Sequence, residues 1–169
     1  ENPIVTTPAS IFKAYDVRAL YPSELNEIGA RAIGRAFVAY LGASRIGVSR
    51  DMRVSSPTLS AAFIEGALEQ GADVVDFGMC ATDMLYFGVV RDGLEGGAQI
   101  TASHNPGEYN GIKMVRKEAF PLSGDAGIGD IRDMVVGGTI PAPTRPRGTH
   151  THVNLLDEYG GWLNATTSA

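Results

Sequence analysis

The run Thr101-Ala102-Ser103-His104-Asn105-Pro106-Gly107-Glu108-Tyr109-Asn110-Gly111-Ile112-Lys113 places a hydroxyl, an imidazole and an ammonium in one turn-rich stretch. That is equipment for phosphoryl transfer. It comes without a nucleotide-binding loop, because no Gly-x-Gly-x-x-Gly follows the first strand candidate and no Gly-Lys-Ser/Thr loop occurs. Gly97 to Thr101 reads as an apolar strand and Ile112 to Val115 as another, so Ser103 should sit where a strand ends. In α/β sheets ligands bind near such ends. Asn105-Pro106 and Asn110-Gly111 are turn dipeptides, which predicts a shaped loop between the two strands.

The surrounding elements must hold this loop. Ile28, Ala32, Ile33, Ala36, Phe37, Tyr40 and Leu41 recur at helical spacing, predicting a helix over 24–41 with Ser23 as N-cap and Gly42 as its stop. A short strand over 45–49 follows. Ser56 before Pro57 gives an N-cap and a first-turn proline for a helix to about Gln70. A buried strand over 73–77, a helix capped by Thr82 and running to Arg91, and a last helix over 127–136 complete the series. Strands alternating with helices indicate βαβ units with right-handed crossovers. The expected fold is a three-layer α/β/α sandwich on a mixed, mostly parallel sheet, with residues 112–115 and 119–121 pairing as a hairpin.

Residues 1–138 are expected to form that domain. Residues 139–152 read as a Pro-rich linker, since Pro141, Pro143 and Pro146 exclude helix and central strand. Residues 153–169 carry Leu155, Leu156, Tyr159 and Trp162 at helical spacing and read as the first helix of a second domain cut short. Such a helix cannot bury its own face.

Fourteen Lys and Arg against nineteen Asp and Glu give a net charge of −5, which argues against a broad nucleic-acid-binding surface. Any anionic ligand must be met locally, and basic residues do gather as Lys13 with Arg18, Arg50 with Arg53, and Lys113 with Arg116 and Lys117. No apolar run approaches the roughly 20 residues that span a bilayer, so no membrane partner is expected. Residues 1–8 lack the pattern of a secretory signal, and Cys80 as the lone cysteine excludes an intramolecular disulfide. Both fit a cytoplasmic setting. Asn164-Ala165-Thr166 matches a glycosylation acceptor with nothing else to indicate secretion.

With three other segments in matching order, the Ser103 loop resembles that of the α-D-phosphohexomutases, the phosphomannomutase and phosphoglucomutase family, over about residues 10–136. Ser-His-Asn-Pro with the later Asn-Gly-x-Lys is similar to the family's phosphoserine loop. Phe12-Lys13-Ala14-Tyr15-Asp16-Val17-Arg18 resembles its N-terminal segment, and Gly47-Val48-Ser49-Arg50-Asp51-Met52-Arg53 the strand end that supports the loop. Asp76-Phe77-Gly78 followed by Thr82 resembles the approach to the third helix.

The resemblance implies that Ser103 carries a phosphoryl group. Ser103 would give it to a hexose phosphate and, after a bisphosphorylated sugar turns around, receive the other one. It implies that Tyr15 and Arg18 approach the substrate and its phosphate, and that His104 and Lys113 move the sugar hydroxyl's proton, one as base and the other by hydrogen bonding or charge, in either order. Asn105, Asn110, Asp51 and Arg53 are implied to support the loop. Magnesium is the implied cofactor, touched on this chain by the Ser103 phosphate. Its other ligands in the family are aspartates of an Asp-Gly-Asp-x-Asp-Arg motif in the second domain, and these 169 residues contain no such motif. The expected partners are hexose phosphates, hexose bisphosphates and the remaining domains of the polypeptide. This chain alone should fold without isomerising sugar phosphates.

Plainer readings compete with each assignment. The alternatives in function are a phosphoglucosamine mutase and a non-catalytic relative that binds sugar phosphates. A serine hydrolase is disfavoured, since side chains adjacent in sequence diverge on extended backbone and no Gly-x-Ser-x-Gly elbow surrounds Ser103. His104 and Lys113 could be surface groups, and Asp51 with Arg53 a surface ion pair worth under about 1 kcal/mol. His150 and His152 alternate as metal ligands do, but two ligands in a flexible linker make a poor site. Two residues depart from the family pattern. Ala19 stands in place of a Gly, an expected restriction on φ, and Asp83 follows Thr82 in place of a Pro, where an acid still favours a helix N-terminus.

Overall fold

Side-chain alternation divides the apolar strand residues between two sheet faces, and each face recruits its own helices. Val17, Ala19, Ile46, Val48, Val74, Ala98, Ile100, Ile112 and Met114 share one buried cluster with residues of three helices. Val75, Phe77 and Val115 belong to a smaller cluster with Met84, Leu85 and Val89. The computed structural model describes residues 7–167; residues 1–6, at the start of the expected domain, and 168–169, at the end of the expected second one, lie outside the described residues, as do the side chains of Trp162 and of the acceptor triplet at Asn164.

The strands are β1 (Val17–Leu20), β2 (Arg45–Arg50), β3 (Asp73–Met79), β4 (Gly96–Ile100), β5 (Tyr109–Arg116) and β6 (His150–His152). They form one sheet in the order β1-β5-β4-β2-β3-β6. β5 runs antiparallel to both β1 and β4, and the other neighbouring pairs are parallel. The helices are α1 (Glu27–Leu41), α2 (Ser56–Glu69), α3 (Thr82–Arg91), α4 (Ile128–Gly137) and α5 (Leu156–Thr167). Passage from β2 to β3 moves one way across the sheet with α2 on the larger cluster. The return from β3 to β4 moves the other way with α3 on the opposite face. Crossovers of one hand require that reversal of face, and the result is the three-layer sandwich expected from the sequence.

Several local expectations change. Asn26, not Ser23, caps α1, its side chain accepting from Gly29 N at 3.0 Å. Ser55, not Ser56, precedes α2, and Ala81, not Thr82, precedes α3. Asn110-Gly111 is not a turn but the second and third residues of β5, where a Cβ on Gly111 would stand 2.1 Å from Val17 O on β1. Glycine is there for close strand approach. The expected hairpin shrinks to a bridge between Val115 and Pro121, so the mixed character of the sheet comes from β5 itself. Ala19 lies buried in regular β1 opposite Asn110, without a positive φ, so the missing glycine restricts nothing.

The Pro-rich segment is strapped to the domain. Gln70 Nε2 donates to Pro141 O at 2.8 Å, Arg145 to the carbonyls of Ala43 and Gly42, and Gly148 N to Leu68 O at 2.9 Å. Arg147 forms a two-pronged pair with Glu65, 2.7 Å at each prong. The chain then enters β6 beside β3. Beyond it Leu155 is buried in the smaller cluster and Tyr159 meets Phe87 edge-on at 5.6 Å.

Two features generate tests. α1 and α2 cross at Gly34 and Gly66, where a Cβ would lie 2.2 Å from Phe63 O and 2.0 Å from Arg31 O respectively. Overpacking against backbone cannot relax by rotamer change, so Gly66→Ala should lower stability by more than about 2 kcal/mol in urea unfolding. An unchanged midpoint would show that the helices can part freely. Glu95 Oε1 takes hydrogen bonds from Ser44 N (2.9 Å), Ser44 Oγ (2.6 Å) and Arg45 N (3.2 Å). Burial alone would raise its pKa; the Ser44 hydroxyl and the two amides outweigh it and hold the carboxyl below its ordinary value. A depressed folded pKa gives stability that is full above the unfolded value of about 4.3 and is lost as pH falls through the folded one. The stability difference between wild type and Glu95→Gln should therefore shrink as acid is added below about pH 4, and a pH-independent difference would contradict this.

Candidate functional site

β4 ends at Ile100 and releases the chain at the carboxyl edge of the sheet, where β2 also ends. Thr101 and Ala102 are still buried; Ser103 and His104 are exposed. Ser103 adopts φ 54°, a left-handed conformation that a non-glycine residue holds only when its surroundings impose it. Thr101 Oγ1 accepts from Ser103 N at 3.0 Å, and Asn105 N closes a turn onto Ala102 O at 3.1 Å.

The main restraint comes from Arg53, just after β2. Its guanidinium donates to four loop carbonyls: Pro106 O (2.7 Å), Tyr109 O (3.0 Å), Ser103 O (2.9 Å) and Asn105 O (2.6 Å). Asp51 aims that fork, with Arg53 Nε 3.3 Å from Oδ2 and Arg53 N donating to Oδ1 at 3.0 Å. Ser56 Oγ donates to the same Oδ1 at 2.5 Å, and Asn110 Nδ2 donates to Ser55 Oγ and Ser56 Oγ at 2.8 and 3.0 Å. The side chains of Asp51 and Arg53 are only 15% and 12% exposed. The surface-ion-pair reading therefore fails, because this is a nearly buried network joining the end of β2, the start of α2 and the start of β5.

Arg18 on β1 reaches the loop from the other side. It donates to Asn105 Oδ1 at 3.3 Å and pairs with Asp16 at 2.8 Å, while its buried Nε has no hydrogen-bond partner among the described residues. Cross-strand register sets Arg18 beside Gly111, Lys113 beside Gln99, and Gln99 beside Ser49. Ser49 Oγ donates to Gln99 Oε1, and Gln99 Nε2 donates to Cys80 O at 2.8 Å. This polar row lies on the α3 face, next to the apolar row of Gly47, Gly97 and Val115. Burial pushes the Cys80 thiol pKa up, so Cys80 is a poor thiolate.

The sequence-derived candidates fall into two groups. Ser103, Asn105, Asn110, Asp51, Arg53 and Arg18 belong to one connected network. The side chains of Tyr15, His104 and Lys113 make no hydrogen bond or ion pair with other described residues. Tyr15 is 74% exposed in the Lys13–Asp16 turn, and Lys113 is half-buried in β5. The groups that shape the loop are engaged, and the groups suited to proton movement are free. Thr101, Ser55 and Gln99 were not singled out from sequence, and Ser56 only as a helix cap. A Thr two residues before the turn serine was a usable signal for the first, whereas the others depend on strand register. His150 and His152, expected to be flexible, are instead fixed in β6 beside Asp76. They form the one grouping of three metal-ligating side chains found among the described residues.

A model of the phosphoglucomutase/phosphomannomutase alpha/beta/alpha domain I matches residues 9–135. A phosphomannomutase of Klebsiella pneumoniae is 42% identical over 155 residues, covering 90% of this chain and 98% of that sequence. A phosphomannomutase of Escherichia coli is 42% identical over 155 residues, covering 90% of this chain and 34% of that one. The chain thus spans about a third of the length of that relative. A crystal structure of a phosphoglucomutase/phosphomannomutase family protein from Burkholderia thailandensis superimposes with a TM-score of 0.82 at 33% identity, covering 91% of this chain and 35% of that one.

The Arg53 fork is tested by Arg53→Lys, which keeps the charge and loses the planar array of donors. Amide exchange at Asn105 and Tyr109, whose N–H groups close the loop turns, should accelerate at least about tenfold, with a stability loss of about 1–3 kcal/mol. Unchanged protection would mean that the loop holds its shape without the guanidinium.

Proposed function

The chain belongs to the phosphoglucomutase/phosphomannomutase family, as its α/β/α domain I, and from that membership we propose that it is the phosphoserine-bearing part of a hexose-phosphate mutase. The observation that carries this reading is the state of Ser103, exposed at the carboxyl edge in a left-handed conformation, with its carbonyl held by the nearly buried Arg53. Phosphoryl transfer depends mainly on positioning and on electrostatic stabilisation, and here the positioning is built into the backbone.

In the proposed cycle a hydroxyl of a mannose or glucose phosphate attacks phosphorus on phosphorylated Ser103. The new O–P bond forms as the Oγ–P bond breaks, leaving a bisphosphorylated sugar and the Ser103 alkoxide, which takes up a proton. The attacking hydroxyl loses its proton to His104 or Lys113. After the sugar turns around, Ser103 Oγ loses its proton and attacks phosphorus of the other phosphate; the sugar O–P bond breaks, the sugar oxygen takes up a proton, and a hexose monophosphate leaves the rephosphorylated serine. Arg18 and, where His104 is the base, Lys113 meet the anionic oxygens, and Tyr15, exposed in the turn before β1, is assigned as a sugar contact. A phosphoserine carries about −1.5 to −2 charges, which the free Lys113 and the open side of Arg18 offset in part.

Magnesium, an oxygen-seeking ion, would supply the remaining charge compensation on the phosphoryl oxygens. Ser103 is exposed at the edge of the sheet, so its phosphate could reach such an ion as the contribution of this chain, with aspartates outside its 169 residues as the other ligands. The same reading sets a further domain beyond this one, into whose sheet β6 is joined and in whose smaller cluster Leu155 is buried, and assigns the protein to the cytoplasm. No helix among the described residues is long and apolar enough to cross a membrane.

Incubation of the protein with a radiolabelled hexose 1,6-bisphosphate tests the proposal. One phosphoryl group per chain should be incorporated in wild type and none in Ser103→Ala. Equal labelling of the variant, or none of wild type, would leave a sugar-phosphate binder as the better reading.

A further inference from the structure

β6 was expected to be linker and is instead the edge strand of the sheet, and its two histidines point to the same face as Asp76 of β3. The register pairs Val74 with His150 and Asp76 with His152, so alternation sets both imidazoles on the side of the Asp76 carboxylate. His150 Nε2 lies 2.9 Å and His152 Nδ1 3.5 Å from Asp76 Oδ2. The two rings are 4.6 Å apart between centroids. The three potential ligand atoms all fall within 4.8 Å of one another.

The carboxylate is itself oriented. Its other oxygen, Oδ1, accepts from Gly78 N at 2.8 Å, where β3 carries an irregularity opposite β2. A ligand fixed in this way by a second contact is the usual arrangement around protein-bound metals. The Asp76 side chain is 8% exposed, His150 35% and His152 75%, so the three donors line a site closed on the sheet side and open to water on the other.

We propose that Asp76, His150 and His152 form a site for a divalent transition-metal ion of the zinc type, with water in the open fourth position. Two imidazoles and one carboxylate are a zinc-type donor set. Magnesium, which demands octahedral oxygen ligands, is excluded from this site. The site is separate from the Ser103 loop, since β2 lies between β3 and β4 in the sheet. Its role is structural. β6 has three residues and one neighbour, and a metal shared between its two histidines and β3 fastens this edge strand, and with it the approach to Leu155 and α5, onto the domain.

Calorimetric titration of the metal-free protein with Zn2+ tests the site directly. Wild type should bind one equivalent and unfold at higher temperature when it does, as expected of a ligand that binds the folded state alone. His152→Ala and His150→Ala, both on the solvent-exposed edge strand, should each weaken that binding at least about tenfold and lose the thermal shift. His104→Ala should leave both unchanged, and excess Mg2+ should not compete. The proposal is overturned if wild type takes up no stoichiometric Zn2+ or if both β6 variants bind as tightly as wild type. Phosphoryl labelling at Ser103 is independent of these results, so failure here leaves the mutase reading untouched.

Discussion

One guanidinium determines the shape of the Ser103 loop. A chain leaving β4 and returning in the neighbouring antiparallel strand has carbonyls that point inward with no ladder to satisfy them, and Arg53 supplies donors to four of these. Unpaired acceptors in a tight loop would each favour another loop conformation. Because the fork is rigid, its four bonds fix a plane rather than a point. Asp51 holds the fork, Ser56 holds Asp51, and Asn110 ties Ser56 to β5, so the geometry of the exposed serine is inherited from the packing of α2 against the sheet.

That arrangement explains why the two sheet faces differ. The larger cluster covers its face with α1, α2 and α4. The α3 face is apolar toward the amino ends of the parallel strands and polar toward their carboxyl ends, where Ser49, Gln99 and Lys113 follow one another across three strands. The side with fewer apolar residues is the side with the free lysine and with Arg18. The proposed reaction centre therefore occupies sheet surface that the fold never committed to its own core.

Much of this was legible in the sequence. Helical spacing around Ile33 and Phe37, the proline after Ser56 and the apolar runs of β3 and β4 announce their elements, because each is a local pattern with a local cause. The family match bears out the resemblance drawn from the Ser103 loop and its companion segments. Non-local facts were not legible. Nothing local distinguishes Asn110-Gly111 in a strand from the same pair in a turn; the close approach of Val17, ninety-odd positions away, decides it. Prolines at 141, 143 and 146 do suggest a tether, but the hydrogen bonds that strap the segment down come from Gln70, Arg145 and Leu68 O. The pairing of His150 and His152 with Asp76 likewise required knowledge of which strand lies at the edge.

The left-handed backbone at position 103 also bears on the choice between the two alcohols available to a protein. Threonine offers the same hydroxyl, yet its branched β-carbon makes a positive φ a true outlier, while serine tolerates it at modest cost. A threonine here would either break the turn onto Ala102 or swing its oxygen away from the edge of the sheet. The shape of the loop therefore favours serine over threonine at this position on steric grounds, ahead of any difference in reactivity between a primary and a secondary alcohol.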